Sequence, residues 1–221
     1  MKLIGILGLG IFGSSVAKTL SQYEDIEIIA VDQNVKNVER LSDYVTQAVV
    51  GDTTDYNLLK SIGLGDCDVV IVATGSHLES SILAIMNAKN LGVQQIIAKA
   101  RNRSHLQIYE QIGATLIIRP EKEMGEKLAH DLVRKNIIDV IELDESHSVV
   151  EFIVPHKWVN KSVQQLDLRN RYQMNIIGIK KDIHGPLNVS FGADYVFEEK
   201  EIVVAITDSK QFEKEDYLNK L

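Results

Sequence analysis

Residues 1–20 read MKLIGILGLGIFGSSVAKTL, and the fold follows from how residues 8–13 of that stretch are read. An apolar run leads directly into Gly8-Leu9-Gly10-Ile11-Phe12-Gly13, and apolar residues at helical spacing begin at once behind it. Glycines at this spacing suit a strand-to-helix turn that receives a phosphate. Gly8 allows the tight turn, Gly10 lets the backbone approach a pyrophosphate, and Gly13 lets helix and strand pack closely. Unpaired N–H groups and the helix dipole then hold the anion. Asp32 stands 19 residues past Gly13, at the end of the second apolar run. It can accept hydrogen bonds from both ribose hydroxyls, and its charge would repel a 2′-phosphate, so an adenosine nucleotide is favoured over NADP.

The same alternation continues along the chain. Runs rich in β-branched residues fall at 3–7, 27–31, 48–50, 68–73, 95–98 and 115–118, with helical patterns at 12–20, 34–41, 57–62, 78–91, 104–112 and 121–135. Strands alternating with helices predict an α/β fold, a Rossmann-like, doubly wound parallel sheet covered on both faces. In the last helical stretch Met124, Leu128 and Leu132 recur every four residues as one apolar stripe. After residue 136 strand-like segments dominate, at 137–143, 149–154, 175–179, 187–189 and 202–206, with helical pieces near 163–166 and 209–218. This reads as a small α+β domain on an antiparallel sheet. The expected division is therefore 1–135 and 136–221, with no Pro/Gly-rich linker between them.

Composition narrows the function classes. The net charge is −7, with 14 Lys+Arg against 16 Asp+Glu in residues 1–135 and 10 against 15 in residues 136–221. Nucleic-acid binders usually carry a basic stripe, so that class is not expected. Cys67 is the single cysteine; no disulfide can form within the chain, and a buried structural thiol in a reducing cytosol is the expectation. No run approaches the ~18 apolar residues of a membrane span, and the N-terminus lacks a signal peptide's layout, so a soluble protein is expected.

Two further loops follow strand ends, where open α/β sheets bind ligands. In Gly51-Asp52-Thr53-Thr54-Asp55, Asp52 and Thr53 are placed to read an adenine edge, while Thr54 or Asp55 suits the cap of the next helix. Ala73-Thr74-Gly75 follows the fourth strand. Catalytic patterns are sparse by comparison. Tyr56 and Lys60 have the Y-x-x-x-K spacing of short-chain dehydrogenases, but they lie far too early in the chain for that pair. The six histidines show no metal-ligand spacing, and no nucleophile motif is present. An NAD-dependent oxidoreductase with an unrecognised site and a protein that only senses a nucleotide both fit these residues.

Taken in order, GLGIFG (8–13), VDQN (31–34), GDTTD (51–55), VIVATG (70–75), AKAR (98–101), IGA (112–114) and RPEKEMG (119–125) resemble the TrkA-N, or RCK-N, domain of KtrA/TrkA-type regulators of potassium conductance. The second part resembles their TrkA-C, or RCK-C, domain. The resemblance implies a pocket for ATP, ADP or NAD/NADH lined by Gly8, Gly10, Ile11, Phe12, Gly13, Asp32, Asp52, Thr53, Ala73, Thr74, Gly75, Lys99 and Glu121. Glu121 matches an acid near the phosphates that would help hold a divalent or monovalent cation at a subunit interface. Many relatives carry an arginine where Ile11 stands. Its loss removes a strong phosphate partner, so their discrimination of ATP from ADP is not expected here. Arg101, Arg103 and Arg119 are the nearby candidates to compensate.

SVQQLDLR (162–169) and Asn175-Ile176-Ile177 resemble the RCK-C segment that binds cyclic di-AMP at a dimer interface. By that resemblance Val163, Leu168, Ile176 and Pro186 flank the bases, while Arg169, Asn175 and His184 face phosphates or base edges. Asp167 belongs to the same motif, and an Asp167–Arg169 pair is the structural alternative. The assembly implied is a cytoplasmic homo-oligomer, dimers forming an octameric ring. It would sit peripherally on the inner face of the cell membrane beneath an integral membrane potassium-conducting subunit of the KtrB/TrkH type. A free-standing cyclic di-AMP receptor is the other reading.

Overall fold

The structure is a computed structural model that describes residues 1–74, 78–133, 136–210 and 212. The chain divides into two compact units, Met1–Glu123 and Met124–Leu221. The division falls inside a continuous helix, Pro120–Val133, whereas the sequence reading places it after residue 135, beyond that helix.

The first unit alternates strands β1 (Lys2–Leu7), β2 (Ile26–Asp32), β3 (Gln47–Val50), β4 (Val69–Val72), β5 (Gln95–Lys99) and β6 (Leu116–Ile118) with helices. Those helices are α1 (Ile11–Leu20), α2 (Val35–Glu39), α3 (Tyr56–Ser61), α4 (Leu78–Asn90) and α5 (Arg103–Ile112), and α6 (Pro120–Val133) begins at the end of the unit. All strand pairs are parallel, in the order β3-β2-β1-β4-β5-β6. That order is the doubly wound sheet expected from the glycine turn. Strands covered on both faces read as unbroken apolar runs, and every residue of β4 (VVIV) is buried.

The two-residue period of β1 sorts its side chains between two cores. Ile4 and Ile6 join Ala17, Val38 and Leu41 beneath α1 and α2. Leu7 joins Leu59, Ala84, Ile85 and Tyr109 beneath α3, α4 and α5. Strand order reverses between β1 and β4, which opens a crevice at their C-terminal ends.

Cys67 lies within the second of these cores, 5% exposed, and burial, followed by Asp66 and Asp68, pushes its thiol up to about 11. It is therefore a protonated packing residue. Maleimide at about pH 8 should leave the folded protein unlabelled and label it fully in denaturant; rapid labelling of the folded protein contradicts this.

The second unit forms an antiparallel sheet in the order β7-β8-β10-β9, from β7 (Ile137–Glu142), β8 (His147–Ile153), β9 (Met174–Lys180) and β10 (Ile202–Asp208). Two short helices, α7 (Val163–Leu166) and α8 (Leu168–Tyr172), precede β9. The expected strand at 187–189 does not form. Only Asn188 pairs, with Ile179, because Pro186 has no N–H to offer and Asn188 turns the chain by accepting the Ser190 N–H. Helix α8 has no counterpart in the sequence reading; Asp167 and Gln173, both left-handed, bracket its five residues. The expected helix at 209–218 lies almost wholly outside the described residues. Trp158 centres the core, its ring 5.6 Å from Phe152 and 5.9 Å from Phe197. On the α6 segment of this unit the stripe Met124, Leu128 and Leu132 is exposed.

Among the described residues of this unit one carboxylate is buried. Glu201 is 1% exposed and accepts the Tyr195 hydroxyl (2.6 Å), the Glu198 N–H (2.8 Å) and the Lys181 ammonium (2.7 Å). Burial pushes the carboxyl up, but the three donors outweigh it and hold the group below the usual glutamate range. The unfolded chain then binds this proton more readily. The stabilisation is present above about pH 4.3 and is lost as pH falls through the depressed folded value. Melts followed by Trp158 emission from about pH 6 to about pH 3 should fall more steeply in wild type than in Glu201→Gln; equal slopes would contradict the assignment.

Candidate functional site

The crevice at the end of β1 is built by the glycine turn. Gly8 takes φ +97°, and a Cβ there would press on Ala73 and Thr74 at 3.0 Å. A Cβ on Gly13 would fall on the Gly8 carbonyl oxygen, whereas one on Gly10 would meet nothing within 4 Å. Gly8 and Gly13 are thus demanded by the protein's own packing. Gly10 faces open space, where a ligand's phosphates would need the backbone bare. Gly10 is also the N-cap of α1 and has no side chain to satisfy the first N–H groups. The residues present therefore fit a nucleotide's phosphates.

Asp32 ends β2 and closes one side of the turn. Its Oδ2 accepts the Leu9 N–H at 2.6 Å and its Oδ1 the Asn34 N–H at 2.7 Å. These bonds hold the carboxylate rigidly, and each oxygen keeps a further acceptor site for a ribose hydroxyl. Beyond β3, Asp52 is exposed and accepts both the N–H (2.8 Å) and the hydroxyl (2.7 Å) of Thr54. Those two bonds hold its carboxyl below the ordinary aspartate range. Thr53 is buried, so it faces the core while Asp52 faces outward. The cap of α3 is Asp55, bonded to the Asn57 and Leu58 N–H groups, and Tyr56 and Lys60 lie on that helix.

At the end of β4, Ala73 donates its N–H to the Leu7 carbonyl, and Thr74 is fixed by Ser81 of α4, whose hydroxyl donates to the Thr74 carbonyl at 2.7 Å. Ser81 was not visible as a site residue because a serine inside a helical pattern carries no signal of its own. Gly75 lies outside the described residues. On the far side, Lys99 ends β5 and pairs with Glu121 in the first turn of α6 at 2.5 Å. The same ammonium lies 5.7 Å from the centre of the Phe12 ring. Lys99 thereby joins the start of α1 to the start of α6. Hydrogen bonding from Lys99 holds the Glu121 carboxyl below its ordinary range, with Arg101 adding to it. Ile11 projects into solvent, 92% exposed. Among the described residues no group of three or more His, Cys, Asp or Glu side chains is placed to hold a metal ion.

The second unit contains a cavity of about 310 Å³. It brings together Val163, Asp167, Leu168, Arg169, Asn175 and Ile176, all six taken from two separate motifs of the sequence. Gln164, Met174 and Phe191 complete its wall. Phe191 was missed because it stands in an irregular segment with no motif around it. His184 and Pro186 are not among the lining residues; they occupy the exposed loop after β9, where Asp182 accepts the His184 N–H.

Arg169 and Asp167 are both exposed, and Asp167 accepts the Asn170 side-chain amide at 2.7 Å. Among the described residues no ion pair joins Asp167 to Arg169, so the guanidinium has its charge available at the cavity. Beside the cavity β9 bulges: Gly178 pairs with Val204 and Ile176 with Ala205, which leaves Ile177 over. Such a bulge re-aims the side chains next to it, here Asn175 and Ile176.

Comparison with known proteins adds two matches along the chain. A family model of the TrkA-N domain matches residues 4–120, and one of the TrkA-C domain matches residues 149–217. The Ktr system potassium uptake protein C of Bacillus subtilis is 37% identical over 219 residues, covering 96% of each chain. The Ktr system potassium uptake protein A of the same organism is 36% identical over 217 residues, covering 97% of this chain and 96% of that protein. A solved structure of the GsuK channel bound to NAD superposes with a TM-score of 0.64 at 17% identity, covering 95% of this chain and 38% of that longer one. Among the described residues no helix is long and apolar enough to cross a membrane.

Proposed function

The chain belongs to the family built from a TrkA-N domain followed by a TrkA-C domain, and from that membership we propose that it is the regulatory subunit of a Ktr-type potassium uptake system. The full-length likeness to two Ktr system potassium uptake proteins supports this role. In it the chain performs no catalysis. It works in the cytoplasm, peripherally on the inner face of the cell membrane, attached to an integral membrane potassium-conducting subunit of the KtrB/TrkH type. The exposed stripe of Met124, Leu128 and Leu132 supports association with further copies, in dimers and then an octameric ring.

The N-terminal domain, residues 1–135 by its sequence pattern and with Met1–Glu123 as its compact body, senses an adenine nucleotide. The observation that carries this is the bare backbone at Gly10, open to solvent beside an Asp32 carboxylate fixed by two N–H groups. ATP, ADP and NAD/NADH all offer the pyrophosphate and ribose that such a site reads, and part of the NAD-bound GsuK channel has the same fold. The apolar Ile11 offers a terminal phosphate no charge, so ATP and ADP are not told apart there as in relatives that carry an arginine at that position; Arg101, Arg103 and Arg119 are the residues that could take its place. A cation accompanying the nucleotide would take Glu121, the ligand's own phosphates and a second subunit as its donors. The second unit takes cyclic di-AMP: Arg169 supplies charge, Asn175 a polar edge, and Val163, Leu168 and Ile176 an apolar floor. At about 310 Å³ the cavity suits half of that two-fold ligand, with a second copy supplying the other half.

A thermal-shift panel of ATP, ADP, NAD and NADH tests the nucleotide site. Each should stabilise wild type, and Asp32→Ala should lose most of every shift. Undiminished shifts in Asp32→Ala would overturn the site, and steady oxidation of NADH by any substrate would overturn the non-enzymatic role.

A further inference from the structure

The buried carboxylate at Glu201 has no part in the function proposed so far, yet its bonds lead to the wall of the cavity. Glu201 precedes β10 and is anchored to the sheet, where its carbonyl accepts the Val154 N–H at 2.7 Å. Its carboxylate fixes the Tyr195 hydroxyl at 2.6 Å. Tyr195 in turn touches the cavity in two ways. Its carbonyl accepts the Val163 N–H at 3.0 Å, which seats the first residue of α7. Its ring meets the Phe191 ring edge-on, 6.0 Å between centres. Phe191 and Val163 both line the cavity.

An irregular segment has no ladder to hold it, and an aromatic wall in such a segment needs a fixed partner behind it. Tyr195 provides that partner, and Glu201 prevents Tyr195 from turning away. We infer that Phe191 is a ligand-contacting residue that stacks against a base, and that Tyr195, tethered by Glu201, is the positioning residue that holds it there. This rests on the reading of the cavity as a half-site for cyclic di-AMP. Stacking on an aromatic ring is tolerant of which base is presented, whereas Asn175 can read its edge.

The test is cyclic di-AMP binding by titration calorimetry to full-length wild type, Phe191→Leu, Phe191→Trp, Tyr195→Phe and Arg169→Ala. Phe191→Leu should weaken binding about tenfold, the loss expected for one base–aromatic contact. Phe191→Trp should bind as wild type does, and its added emission should be quenched on saturation. Tyr195→Phe keeps the ring and loses the tether, and should weaken binding severalfold while ADP binding in the first unit stays unchanged. If Arg169→Ala weakens binding but Phe191→Leu and Tyr195→Phe do not, the stacking and positioning roles are wrong and the dinucleotide site stands. If Phe191→Leu alone weakens binding, the positioning role is overturned. If wild type does not bind cyclic di-AMP, the reading of the cavity falls and this inference with it.

Discussion

Gly13→Ala should unfold much of the first unit's stability, while Gly10→Ala should leave it almost untouched. A Cβ at Gly13 falls on the Gly8 carbonyl oxygen, a backbone atom that cannot move without opening the turn. Forcing α1 away from β1 loosens the packing of Ile6 and Ala17, both fully buried. Overpacking of this kind costs about 3 kcal/mol, which lowers the melting temperature by on the order of 10 °C for a unit of this size. Gly10→Ala meets no atom within 4 Å, so calorimetric melting of that variant should stay close to wild type. Its methyl group occupies the space a pyrophosphate needs, and nucleotide affinity should drop at least tenfold. Equal melting temperatures for wild type and Gly13→Ala would contradict the account of the turn; undiminished nucleotide binding by Gly10→Ala would contradict the account of the cradle.

Arg169→Ala should have the opposite signature: little change in stability and a large loss of ligand. Arg169 is exposed on α8 and has no ion pair among the described residues, so truncation removes no support from the fold. Surface substitutions of this kind change stability by about 0.5 kcal/mol or less. A hydrogen bond from a guanidinium to a phosphate contributes about 2 kcal/mol, so cyclic di-AMP binding should weaken roughly thirtyfold. Arg169→Lys should recover only part of that, because an ammonium lacks the two-pronged geometry. Titration calorimetry distinguishes the three proteins directly. Wild-type affinity in Arg169→Ala would place the dianion elsewhere.

Both predictions rest on residues legible in the sequence itself, though for different reasons. The glycine turn declares itself because three separate steric demands fall on three glycines, followed by an acid at the next strand end. That the sheet is covered on both faces is legible in unbroken apolar runs such as that of β4, every residue of which is buried. Asp167, Arg169 and Asn175 were legible only as a family pattern. The cavity that joins them depends on a left-handed Asp167, a five-residue helix and a bulge at Ile177, none of which has a periodic signature. Phe191 and Ser81 were invisible for a related reason. Their roles arise from what they touch across the fold: Ser81 holds Thr74, and Phe191 leans on Tyr195. The strand expected at 187–189 failed because the apolar Leu187 and Val189 were outweighed by Pro186 before them and the Asn188 turn between them.

Regulation of a pore by such a subunit requires that each ligand prefer one state of the assembly over another; equal affinity for all states would shift nothing. The most direct test is rubidium uptake into vesicles that carry a KtrB/TrkH-type potassium-conducting subunit, with and without this chain on the cytoplasmic side. The account predicts that the chain changes the uptake rate. It further predicts that adenine nucleotide and cyclic di-AMP each shift that rate, the first lost in Asp32→Ala and the second in Arg169→Ala. Uptake that is the same with the chain, without it, and in the presence of either ligand would contradict the central claim.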